Sequence, residues 1–108
     1  MTLDWLHPWR SVNDWTPDQT KQTVDQLRVE VGPKHPLYGV PVSIIGIRCD
    51  CDDSLFQLED GTGRIAVVHL TFRQSQEPMP WPETQIFESI EDFITTRMRL
   101  DHEESMQE

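Results

Sequence analysis

Cys49-Asp50-Cys51-Asp52-Asp53 sets two thiols and three carboxylates side by side. Thiols one residue apart fall on the same side of an extended strand and could ligate zinc, with His35 or His69 completing the shell, but a second cysteine pair is missing. The carboxylate spacing suggests calcium. An EF-hand loop starting at Asp50 would need glycine at its sixth position, where Leu55 stands, and a bidentate Glu at its twelfth, where Gly61 stands. Cys49, Cys51, Asp50 and Asp52 are thus the weak metal candidates, and no metal or other cofactor is expected. A thiol beside an imidazole is the minimum for a thiolate nucleophile, which makes Cys49 and His69 the weak catalytic candidates. No orienting group or oxyanion hole accompanies them, and the surrounding acids would raise a thiol's pKa.

Other motifs fail on context. Gly61-x-Gly63-x-x-Ala66 resembles a dinucleotide fingerprint, but a β-rich run follows it where a helix N-terminus would have to receive the pyrophosphate. No P-loop lysine, HExxH or nucleophile elbow is found. His35-Pro36-Leu37-Tyr38-Gly39 predicts a rigid connector with Leu37 and Tyr38 packed under it and His35 as an exposed imidazole.

These residues are carried by elements that the sequence marks unevenly. Residues 1–15 hold Trp5, Trp9 and Trp15 without any period and predict an arm whose rings pack on the domain. Thr16 is a good N-cap, Pro17 suits the first helical position and Gln19 completes a capping box. The helix they open has an apolar stripe at Val24, Leu27 and Val31, and Gly32-Pro33 predicts a left-handed glycine stop. Three strands follow over Val40–Arg48, Ser54–Glu59 and Arg64–Phe72, with a glycine turn at Asp60–Gly63. A Pro-rich loop occupies residues 74–82. A second helix, capped by Ser89 and Asp92, presents Ile90, Phe93, Ile94 and Met98, and an acidic tail from Asp101 to Glu108 is expected to fray.

The fold class so predicted is α+β: one domain over 1–108, with a helix, a three-stranded antiparallel meander, a Pro-rich loop and a C-terminal helix. In the register that fits this pattern, Glu59 pairs with Arg64, Leu58 with Ile65, Phe56 with Val67, Cys49 with Ser54 and Ile47 with Phe56. That register lines up Cys49, Ser54 and His69 at one edge and puts both helices on a single sheet face. The other face, with Ile44, Leu55, Ala66, Val68 and Leu70, would need covering by the tryptophan arm or by a second copy of the chain.

The chain has 108 residues and a net charge of -10. That balance excludes a phosphate-tracking nucleic-acid binder and a protein docking on anionic lipid. The acidity is concentrated: residues 1–73 carry ten acids and seven bases, while residues 74–108 carry nine acids and two bases. No apolar run could span a bilayer, the N-terminus lacks a signal-peptide pattern, and the closely spaced cysteines predict reduced thiols in a cytoplasm.

HPLYG (His35–Gly39), CDCDD (Cys49–Asp53) and Ala66-Val67-Val68-His69-Leu70-Thr71-Phe72, together with Trp81-Pro82, Phe87 and Asp101-His102-Glu103-Glu104, resemble a set of small bacterial proteins with no assigned activity. The resemblance implies a bacterial cytoplasmic setting and no residue roles. The sequence therefore points to a non-enzymatic interaction or regulatory protein, immunity to a toxin being one such job. Its acidic surface, through Glu83, Glu88, Glu91 and Asp92, would bind a basic protein partner, with a homodimer as the other possibility. The alternative is a small enzyme or metal-binding domain using Cys49, Cys51, His69 and the Asp50–Asp53 carboxylates.

Overall fold

A computed structural model describes residues 4–72 and 81–106. It is an α+β domain around one antiparallel sheet of five strands, ordered as in the sequence: β1 (Trp9–Ser11), β2 (Val42–Arg48), β3 (Asp53–Leu58), β4 (Ile65–His69) and β5 (Glu83–Phe87). The expected three-stranded meander is its centre, and a strand is added at each edge. β1 lies inside the stretch expected to be an arm; its three residues are too few to show a period. β5 follows Pro82 directly. Residues 74–80 of the predicted proline-rich loop, residue 73 before it and the last two residues of the tail lie outside the described residues.

Helix α1 (Pro17–Glu30) links β1 to β2 and starts as its sequence dictates. The Thr16 hydroxyl accepts from the Gln19 amide, and the Gln19 side chain accepts from the Thr16 amide. Its end differs from expectation. Val31 turns to extended backbone (φ -79°, ψ 131°), and Gly32 does not enter the left-handed region. The helix stops because Pro33 disfavours helical backbone at the residue before it.

The C-terminal helix starts at Ser89, whose hydroxyl accepts from the Asp92 amide. It runs as α2 (Ile90–Phe93), a π-helical stretch (Ile94–Met98) and α3 (Arg99–Ser105). In the π stretch the Thr95 and Thr96 hydroxyls donate back to the Glu91 and Asp92 carbonyls, competing with the helical ladder. The predicted frayed tail is corrected: Asp101–Ser105 is helical and Asp101 is buried.

The register departs from the predicted one on both sides of β3. β3 and β4 pair Gln57 with Ile65, Phe56 with Ala66, Ser54 with Val68 and Asp53 with His69, one residue away from expectation. The hairpin absorbs the odd residue because Gly61 and Gly63 both take positive φ around Thr62, while the Asp60 carboxylate accepts from the Thr62 amide. The predicted Glu59–Arg64 pair gives way to Arg64–Asp60 at 3.2 Å and to a hydrogen bond from the Ser43 hydroxyl to Glu59. β2 meets β3 through Ile44–Phe56 and Ile47–Ser54, with a bulge between Ile44 and Gly46. The bulge reverses the facing of β2: Val42, Ile44 and Ile47 share one face, and Ile45 and Arg48 are sent to the other.

The slip sorts the apolar residues onto two faces, each with its own helix. α1 covers Ile44, Phe56, Leu58, Ala66, Val68 and Leu70 through Leu27 and Val31. The C-terminal helix covers Leu55, Ile65, Val67 and Phe87 through Phe93 and Met98, helped by Trp9 from β1. Both helices on one face is therefore corrected, and so is the need for a second copy: the chain covers its own second face. Trp9 and Phe87 meet the Phe93 ring edge-on, at 5.1 and 5.5 Å between centroids, contacts worth about 0.5–1.5 kcal/mol each beyond area burial.

Candidate functional site

The predicted row of Cys49, Ser54 and His69 does not form. Ser54 sits opposite Val68, on the face away from His69, and Asp53 takes the place beside the imidazole. His69 Nδ1 lies 2.7 Å from Asp53 Oδ1, and its cross-strand neighbour on the other side is Glu83. Cys49 lies beyond the end of β2, exposed, its amide donating to the Pro8 carbonyl. Cys51 is exposed as well; partial burial and the Asp53 and Asp50 charges push its thiol pKa up, the opposite of nucleophile activation. Asp50 binds Arg48 through both carboxylate oxygens at 2.9 Å, and that hydrogen bonding lowers its pKa. Asp52 is exposed. Among the described residues no group of three or more His, Cys, Asp or Glu side chains is placed to hold a metal ion.

His35 is buried rather than exposed. Its Nδ1 accepts from the Leu37 amide at 3.0 Å, which leaves Nε2 to donate to the Pro82 carbonyl at 3.0 Å. The imidazole thus pins the connector to the start of β5. Leu37 packs beneath it as predicted, whereas Tyr38 is exposed.

What the sequence did not single out is a polar seam under the C-terminal helix. Arg97 commits all three guanidinium nitrogens: Nε to Asp101 at 2.8 Å, Nη1 to Gln85 at 3.1 Å and Nη2 to Asp53 at 3.0 Å. Asp101 also accepts the Trp9 indole N–H at 2.8 Å and faces Arg48 at 3.3 Å. The Arg48 and Arg97 guanidiniums stand 5.8 and 5.7 Å from the Trp9 ring centroid, within cation–π reach. Burial works against the charge on Arg48, but the hydrogen bond to Asp50 and the charges of Asp101 and Asp50 outweigh it and raise its pKa. Every buried side-chain nitrogen and oxygen among the described residues has a partner. The only sequence sign of this seam was the four-residue spacing of Arg97 and Asp101; Arg48 and Trp9 join it through the bulge and the short first strand.

Beside the seam lies a cleft of about 250 Å³ lined by Asp53, His69, Glu83, Thr84 and Arg97. An imidazole held by a carboxylate can move a proton, but the Asp53 carboxylate beside His69 is itself bound by Arg97, and no hydroxyl or thiol is hydrogen-bonded to the imidazole among the described residues.

The predicted partner-binding acids are disposed differently from one another. Glu83, Glu88 and Glu91 are exposed. Asp92 is half-buried and committed locally, its carboxylate accepting the Glu88 amide at 3.2 Å. Glu103 and Glu104 extend the exposed set. No helix among the described residues is long and apolar enough to cross a membrane. No family model, no curated protein and no solved structure matches the chain.

Proposed function

We propose that the protein is a non-enzymatic binding or regulatory protein of a bacterial cytoplasm whose acidic surface takes a basic protein partner, an immunity-like role being one form of it. One observation carries this reading. The last third of the chain has two bases, and Arg97 is drawn inward by Asp53 and Asp101. Arg99 alone is left exposed against Glu83, Glu88, Glu91, Glu103 and Glu104, so the outward charge there is almost entirely of one sign. That the sheet face which would have demanded a second copy is covered from within the chain supports a different protein as the partner.

Affinity capture at low and high ionic strength tests it. A stoichiometric basic partner should bind at low salt and be released near 1 M, where the Debye length is roughly 3 Å. The variant combining Glu88→Lys, Glu91→Lys and Glu103→Lys should not capture it. Absence of any basic partner at every salt concentration would count decisively against the reading.

A further inference from the structure

Next to this acidic surface, the C-terminal-helix face is incompletely filled where α2 begins. A groove of about 720 Å³ opens there, within the range of ligand-sized sites. Its floor is apolar, built from Ile45, Ile65 and Ile90, and Trp5 forms one wall. Trp5 is seated directly on Gly46, so closely that a Cβ at that position would strike the ring. Glu91 is the only charged residue among the lining residues; it is exposed, and its carboxylate has no hydrogen bond or ion pair among the described residues. The exposed Glu88 lies three residues before it in the chain. The groove of about 540 Å³ on the α1 face is bordered by Arg28 instead, so the two apolar openings have opposite charge.

Resting on the reading above, we infer that the groove between Trp5, Ile65 and Ile90 receives an apolar side chain from a segment of the partner, flanked by Lys or Arg that meets Glu91. A purely apolar ligand would leave Glu91 unused. A purely basic one would leave the apolar floor wet. A basic amphipathic segment satisfies both and is disfavoured at the Arg28-bordered groove.

The test is fluorescence anisotropy with three labelled nonapeptides: alternating Lys and Leu, alternating Lys and Ser, and alternating Glu and Leu. The Lys–Leu peptide should bind about tenfold or more tighter than either control. Gln57 is an exposed lining residue, so Gln57→Trp fills the groove without touching the core and should weaken binding about tenfold, as should Glu91→Lys. Glu103→Lys, on the far end of the helix, should cost less than about threefold. Circular dichroism and a melting curve confirm that Gln57→Trp folds, and Asn13→Trp, at another exposed lining residue, gives a second block. Equal salt-sensitive binding of the Lys–Leu and Lys–Ser peptides, or indifference to both blocking variants, overturns the groove while leaving the acidic-surface reading intact. No binding of either Lys peptide overturns both. Self-association of the wild type that Gln57→Trp abolishes would assign the groove to a second copy and also overturn the proposal.

Discussion

The two faces of the sheet are closed by different means. On the α1 face the packing is apolar almost throughout, with one carboxylate at the exit of β4. Glu30, fully buried, accepts the Thr71 amide at 2.8 Å, the Thr71 hydroxyl at 2.9 Å and the Phe72 amide at 3.0 Å. On the opposite face Phe93 and Met98 of the helix are fully buried, Ile90 and Ile94 pack partly buried beside them, and a polar seam of Trp9, Arg48, Asp53, Arg97 and Asp101 completes the contact. Several desolvated charges add little net stability over well-packed apolar groups, but breaking such a set is costly. The α1 face is thus held by area and fastened by one acceptor, whereas the other face is oriented by a charge arrangement that tolerates no missing member.

The sharpest test of that contrast is Asp101→Ala. It strands the Trp9 indole N–H and takes one carboxylate from each of Arg48 and Arg97, which keep Asp50 and Asp53, and should destabilise by about 3–5 kcal/mol in chemical denaturation. A loss below about 1 kcal/mol would mean that the seam merely decorates an apolar interface. Glu30→Gln should cost less, about 1–3 kcal/mol, because one acceptor oxygen remains while an amide NH₂ confronts backbone donors. If its loss exceeded that of Asp101→Ala, the two faces would have to exchange roles.

A third prediction concerns pH. The Arg48 hydrogen bond lowers the Asp50 pKa below its unfolded value, so the bond's contribution is present above the ordinary carboxylate range and is lost as pH falls through the folded pKa. Wild type should be more stable than Asp50→Asn at neutral pH, and denaturation midpoints of the two should converge in acid. The pair is half-exposed, so the margin is small. The smallest effect belongs to Phe72, held at φ 60° with its ring largely exposed. Phe72→Gly relieves a left-handed backbone and should change stability by less than about 1 kcal/mol, toward stabilisation. A clear loss on melting would show that the ring itself contributes to the α1 face.

Legibility followed the physics of each element. α1 could be read because Thr16, Pro17 and Gln19 act locally, and the central strands because their β-branched runs are long. The phase between strands could not, since it depends on one residue absorbed at Gly61–Gly63 and on a bulge at Ile45–Gly46, neither of which alters the hydrophobic pattern. The cost of that single slip fell on the site: it replaced Ser54 by Asp53 beside His69. Glu30 and Asp101 looked like solvated acids because, beyond Gln26 and Arg97 one turn earlier, the partners that bury them, Thr71 and Trp9, lie 41 and 92 residues away. The acids facing outward, by contrast, needed no long-range knowledge to be named.

The π stretch makes the final helix a length gauge. In uninterrupted α geometry, at 3.6 residues per turn, Phe93 and Met98 would point about 140° apart; the Arg99 amide reaching back to Ile94 brings both against the sheet. Straightening that stretch into a regular ladder with all of its residues kept would at the same time swing Asp101 off Trp9. The number of residues between the aromatic anchor and the terminal carboxylate is therefore as constrained as their identity, and the polypeptide tolerates an irregular turn there because a regular one would aim its last half at water.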